Sequence, residues 1–94
     1  MNTKPAAVFV FHQHGCPACA QYLPRFKRVA SPFRAAYPIG IYDLARDKHG
    51  QEFATRLGGI RAVPTTVVMT SRGALHKHVG ALDEAAIVKL LNGA

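Results

Sequence analysis

Both cysteines of this 94-residue chain stand three positions apart, in Cys16-Pro17-Ala18-Cys19, where an apolar run gives way to helical spacing. Two thiols so placed can close a disulfide across one helical turn, but they cannot staple distant parts of a fold together. Packing must therefore hold the chain, and its length suits one domain over residues 1–94 around a single modest core. No linker or internal repeat divides it. At a helix start, unpaired N–H groups and partial positive charge favour a thiolate, the species that attacks disulfides. The spacing thus assigns Cys16 to attack and Cys19, one turn inside and shielded, to resolve.

Val8-Phe9-Val10-Phe11 is an apolar, β-branched and aromatic run that suits a strand covered on both faces, followed by a loop from His12 to Gly15. From Cys19, apolar residues recur at Leu23, Phe26, Ala30 and Phe33, one face of a helix. Pro17 fits the first turn of that helix, where its missing N–H has no intrahelical partner. Pro24 is expected to kink it and free a carbonyl. Ser31-Pro32 either ends the helix or restarts it as a short turn. Ile39-Gly40-Ile41-Tyr42-Asp43 reads as a second strand, reached by a crossover long enough to make it parallel to the first.

Asp47 is the cap of a short helix carrying Phe53 and Leu57 and stopping at Gly58-Gly59. Thr65 to Thr70 is rich in β-branched residues, Ser71-Arg72-Gly73 offers a turn, and Ala74 to Val79 returns as the last strand of a hairpin. Asp83 caps a final helix with Ala86, Ile87, Leu90 and Leu91 as its apolar stripe. The order strand, helix, strand, helix, strand, strand, helix fits one four-stranded mixed sheet with helices on both faces.

Twelve Lys and Arg against five Asp and Glu give a formal charge of +7, which favours acidic partners through long-range attraction. The basic residues are scattered and lack an RNA-binding signature, so a solvated basic surface is expected and nucleic acid is not a direct ligand. No apolar run approaches the roughly 20 residues needed to cross a bilayer. The segment Met1 to Ala7 carries one positive charge, but the apolar stretch after it ends at His12 and lacks a small-residue cleavage site, which reads as unprocessed and cytoplasmic.

With these elements in register, the chain resembles the thioredoxin family from Ala7 to Leu91. A CxxC follows the first strand, Pro24 stands where the family kinks its active-site helix, and Ile60-Arg61-Ala62-Val63-Pro64-Thr65 looks like the family's cis-proline segment. Val79-Gly80-Ala81-Leu82 is similar to the glycine-containing segment before its last helix. The resemblance implies an α/β thioredoxin-like minimal core, βαβαββα, with three helices flanking the sheet. It implies a cis Val63-Pro64 bond against the dithiol, a substrate segment pairing there as an added strand, and Gly80 and Ala81 lining the groove. The implied activity is a protein-disulfide reductase, acting as a monomer with no cofactor beyond a redox-active Cys16-Cys19 disulfide. Its implied partners are disulfide-containing proteins, ribonucleotide reductase among them, with a thioredoxin reductase or glutathione as electron donor.

Departures from the family pattern bear on mechanism. Gly15 replaces the usual tryptophan, Pro17-Ala18 replaces Gly-Pro, and Val10 and Ile39 occupy the positions of the family's buried aspartate and lysine. Proton handling during resolution is expected to differ. The chain is closer to the minimal core of glutaredoxins, Pro17 is a glutaredoxin-like choice, and Gly80-Ala81-Leu82-Asp83 resembles their glutathione-binding turn, although the tyrosine between their cysteines is missing. A glutathione-dependent reductant and a non-catalytic thioredoxin-fold subunit of a larger assembly are therefore the alternative readings. His12 and His14 alternate on the approach to Cys16; in an extended segment they would point to one side, where a charged imidazole would lower the Cys16 pKa. His12, His14, Cys16 and Cys19 are also a conceivable zinc set, but such sites usually draw their second ligand pair from elsewhere in the fold, so no metal is expected. His49, His76 and His78 read as surface residues.

Overall fold

A computed structural model describes residues 4–93, and its centre is the apolar run found first. That run lies within strand β1 (Pro5–His12), which pairs in parallel with β2 (Ile39–Asp43) on one side and antiparallel with β3 (Thr65–Thr70) on the other. Antiparallel β4 (Leu75–Val79) completes the order β2-β1-β3-β4. Side chains alternate between faces along each strand. Val8 and Val10 of β1 enter one hydrophobic cluster and Phe11 the other, with Phe9 packed against that second cluster. Coverage of both faces explains why the run is continuously apolar.

Two helices cover the first face. Helix α1 (Pro17–Ala30) buries Cys19, Tyr22, Phe26 and Ala30, a stripe at helical spacing. This corrects the expected stripe: Leu23 is only partly buried beside it, and Tyr22 takes the inward place. A tyrosine can be fully buried here because its hydroxyl has a partner, Thr66 Oγ1, at 2.8 Å. The helix assignment runs unbroken through Pro24 to Ala30, and Ser31–Ala35 then restarts as a 3-10 turn. Helix α3 (Glu84–Asn92) packs beside α1; Asp83 Oδ1 accepts from Ala86 N at 2.8 Å to cap it, and Gly93, at φ 82°, closes it in the left-handed conformation.

Among the described residues, the second face carries one helix, α2 (Lys48–Arg56), capped by Asp47, whose carboxylate accepts from Gly50 N at 3.1 Å. Its Ala54 and the following Leu57 are buried against Phe11 and Val67 of the sheet, with Phe9, Tyr42 and Phe53 partly buried around them. The first strand extends to His12, so the expected loop is shorter, Gln13 to Gly15, with a turn at His14-Gly15. Among the described residues, no helix is long and apolar enough to cross a membrane. The reading of an unprocessed start rests partly on Met1, Asn2 and Thr3, outside the described residues.

Candidate active site

Because β3 runs antiparallel to β1, with Phe11 opposite Thr65, the loop leaving β1 meets the segment entering β3. Gly15, at φ 86°, turns the first of these into α1. Cys16 is then the N-cap, in extended backbone, and Pro17 is the first helical residue, exposed to solvent. The Cys16 carbonyl accepts from Ala20 N at 3.0 Å, and its Sγ accepts from Cys19 N at 3.1 Å. On its other side Sγ lies 3.9 Å from the Val63 carbonyl oxygen. The Val63-Pro64 bond is cis, as the resemblance implied.

Three further bonds hold the surroundings. Thr65 Oγ1 donates to Ala62 O at 2.6 Å, Gly80 N donates to Pro64 O at 2.8 Å, and the Arg25 guanidinium reaches Leu82 O at 2.8 Å. The second of these brings Gly80 and the exposed Ala81 against the proline segment, and the third ties that stretch to α1. Of the four positions singled out in the sequence, Val63 thus meets Cys16, and Pro64, Gly80 and Ala81 are joined to it as one bonded strip. Nothing in the chain bonds the Val63 N–H among the described residues. A strand from another molecule would find its donor free.

The two thiols differ sharply in environment. Cys16 is half-buried, whereas Cys19, one turn inside α1, is 2% exposed. Burial first, then the hydrogen bond with Cys16, pushes the Cys19 thiol up to about 11, against an opposing bond from the Gln13 backbone. At neutral pH this sulfur holds its proton.

The histidines do not behave as a pair. His12 ends β1 opposite Asp43, while His14 lies beyond Gln13 in a turn, so no single extended segment carries both. Desolvation lowers the His12 pKa more than the nearby Asp43 carboxylate raises it, so the imidazole is neutral at pH 7. The proposed charged imidazole therefore fails for His12. The four sulfur and nitrogen residues weighed as zinc ligands do not converge either: among the described residues no three His, Cys, Asp or Glu are grouped to hold a metal ion.

Asp43 is the site residue that sequence reasoning missed. Its Oδ1 accepts from Ala45 N at 2.9 Å and His14 N at 3.4 Å, and Leu44 N bonds His12 O at 2.8 Å, so the end of β2 braces the cysteine loop. Desolvation pushes its carboxyl up, but those two N–H groups, His12 and Arg46 outweigh it and leave the pKa below its ordinary value. Its signal was its place: the carboxyl end of a strand parallel to β1, where open α/β sheets keep their functional crevices. A cavity of about 340 Å³ between β4 and α3, lined by His76, His78, Leu82 and Leu90 among others, includes neither cysteine.

Comparison with known proteins follows the same lines. The family model for the thioredoxin-like domain matches residues 1–94. No curated protein sequence matches the chain. Among solved structures, a chloroplastic thioredoxin z is similar with a TM-score of 0.72 and 17% identity, over 90% of this chain and 74% of that one. A thioredoxin-like protein from Clostridium perfringens gives 0.73 and 22%, over 98% and 71%. The oxidised thioredoxin of Plasmodium falciparum gives 0.71 and 16%, over 96% and 81%. At these identities the structures speak to the fold, and the family model, matched along the whole sequence, places the chain in the thioredoxin-like domain family.

Proposed function

We propose that the protein is a dithiol-disulfide oxidoreductase that reduces protein disulfides, with Cys16 as nucleophile and Cys19 as resolving thiol. The observation that carries this reading is the position of Cys16 Sγ, at the α1 N-cap, with the Cys19 N–H on one side and the Val63 carbonyl on the other. Charge developing on that sulfur meets a donor and the positive end of a helix. A substrate segment pairing with the free Val63 N–H would bring its disulfide to the same sulfur, along the strip formed by Pro64, Gly80 and Ala81.

The chemistry balances within the pair. Cys16, as thiolate, attacks one sulfur of the substrate disulfide; that S–S bond breaks, and the other sulfur leaves as a thiolate that takes a proton from water. Cys19 then loses its proton to solvent and attacks Cys16 Sγ, releasing the second substrate thiolate, which is protonated in turn. The substrate gains two electrons and two protons, and the protein is left with a Cys16-Cys19 disulfide. No other cofactor is needed. A reductase dithiol or two molecules of glutathione would return the electrons.

Insulin reduction with dithiothreitol as electron source tests this. Wild type should accelerate it and Cys16→Ser should be inactive; full activity in Cys16→Ser/Cys19→Ser would sink the proposal. His14, in the turn before Cys16, and Pro17, directly after it, remain as groups proposed to tune that sulfur. Thiolate absorbance followed against pH should shift in His14→Ala, and superimposed curves would remove His14 from the site.

A further inference from the structure

Beside the proline segment lies a second cavity, of about 260 Å³, walled by Ile60, Thr65 and Val79 and carrying Arg61 and Lys77, with Gly58 and Gly59 at one side. Two of its walls adjoin the strip described above: Thr65 follows Pro64 in the chain, and Val79 precedes Gly80, whose N–H is bonded to the Pro64 carbonyl. A residue two places along an extended segment lies about 7 Å from its starting point. A substrate strand paired at Val63 therefore carries a neighbouring side chain to the mouth of this cavity.

The cavity's chemistry is specific. Val79 is 66% exposed, an apolar surface with no cover from its own chain. The Lys77 ammonium donates to Gly59 O at 2.9 Å, which holds it in place and leaves donors unspent. Among the described residues the ion pair is Arg28 with Glu84, between α1 and the start of α3, and neither Arg61 nor Lys77 meets a carboxylate. A tethered ammonium and an exposed guanidinium, neither neutralised, over an apolar wall fit a side chain with a short methylene stem and a negative end.

We infer that this pocket selects substrates with an acidic residue, glutamate above all, close to the disulfide that Cys16 attacks. The inference rests on the reductase reading and names its substrate class. Local charge, rather than the diffuse +7 of the chain, is the selecting element. Arg61 and Lys77 act here by contacting substrate, and they take no part in electron transfer.

The test uses disulfide-linked peptides that differ only in having Glu, Gln or Lys two residues before or after the disulfide cysteine, with kcat/KM measured at low salt. At one of the two positions, wild type should reduce the Glu peptide about fivefold faster than the Lys peptide. Arg61→Gln/Lys77→Gln should bring that ratio near one. Arg72→Gln, which removes one charge from the distant β3–β4 turn, should leave it unchanged. Equal reduction of all peptides by wild type overturns the inference and leaves the reductase reading intact. Equal loss of preference in Arg72→Gln also overturns it, in favour of bulk charge. If no peptide is reduced by a folded, reduced protein, the reductase reading falls and takes the inference with it.

Discussion

On one face of the sheet, α1 and α3 close over Val8, Val10 and Val68, and Tyr22, Phe26 and Ile87 are wholly sealed from solvent. On the other, among the described residues, the nine-residue α2 is the one helix; Phe11 and Val67 are buried beneath it, but Phe9, Tyr42, Phe53 and Met69 around them remain partly accessible. Aromatic rings make up the difference. Phe53 meets Phe9 edge-on at 4.7 Å, and Phe11 stacks on Tyr42 at 5.5 Å. The closed face holds the buried Cys19, and the open face ends at the cavity that carries Arg61 and Lys77. Under the proposed function, the unequal cover of the two sides of the sheet sets the resolving thiol on one and substrate selection on the other.

The largest expected effect probes that inequality directly. Phe26→Ala, in the closed face, should cost about 3–5 kcal/mol, whereas Phe53→Ala, where the ring is only partly buried and loses less on truncation, should cost roughly half as much. Urea unfolding of both variants measures this, and equal losses would erase the distinction between the faces.

Burial of Cys19 in the closed face predicts a kinetic signature. Desolvation, the largest cause of its raised pKa, persists when Cys16 is tied up in a mixed disulfide, so release of that disulfide by Cys19 should accelerate with pH between 7 and 9, approaching about tenfold per unit. Stopped-flow release of a chromophoric thiol reads the step. A plateau near pH 7 would mean that a local base takes the Cys19 proton, with Asp43 and His12 the first groups to test.

A smaller effect tests how α2 is held. A Cβ at Gly50 would come within 2.9 Å of Tyr42 Cβ, too close without movement of helix or strand. Gly50→Ala should therefore destabilise by about 1 kcal/mol, although alanine gains about that much over glycine in an unconstrained helix. A rise in stability would show that α2 floats on the aromatic cluster instead of being pressed to β2.

Much of this was legible beforehand because it is local. The caps Asp47 and Asp83, the proline at the first turn of α1, the hairpin turn and the element order each depend on residues a few positions apart. The shared side expected for His12 and His14 is lost for a non-local reason: β2 extends β1 by pairing through His12 with Asp43, and a turn then separates the two histidines. Tyr22 was overlooked because its inward place depends on a hydroxyl on another strand, Thr66, 44 positions away.

By itself, then, the sequence determined a mixed α/β order and a dithiol at a helix start, since periodicity, caps and spacing act within a turn or a strand. Only the tertiary structure decided what surrounds that dithiol. Antiparallel pairing of β3 with β1 brings Val63 to Cys16 across 47 positions, parallel pairing of β2 sets Asp43 beneath the loop, and the hairpin joins Lys77 to Arg61. Such meetings follow from strand order and register, which no short stretch of chain encodes.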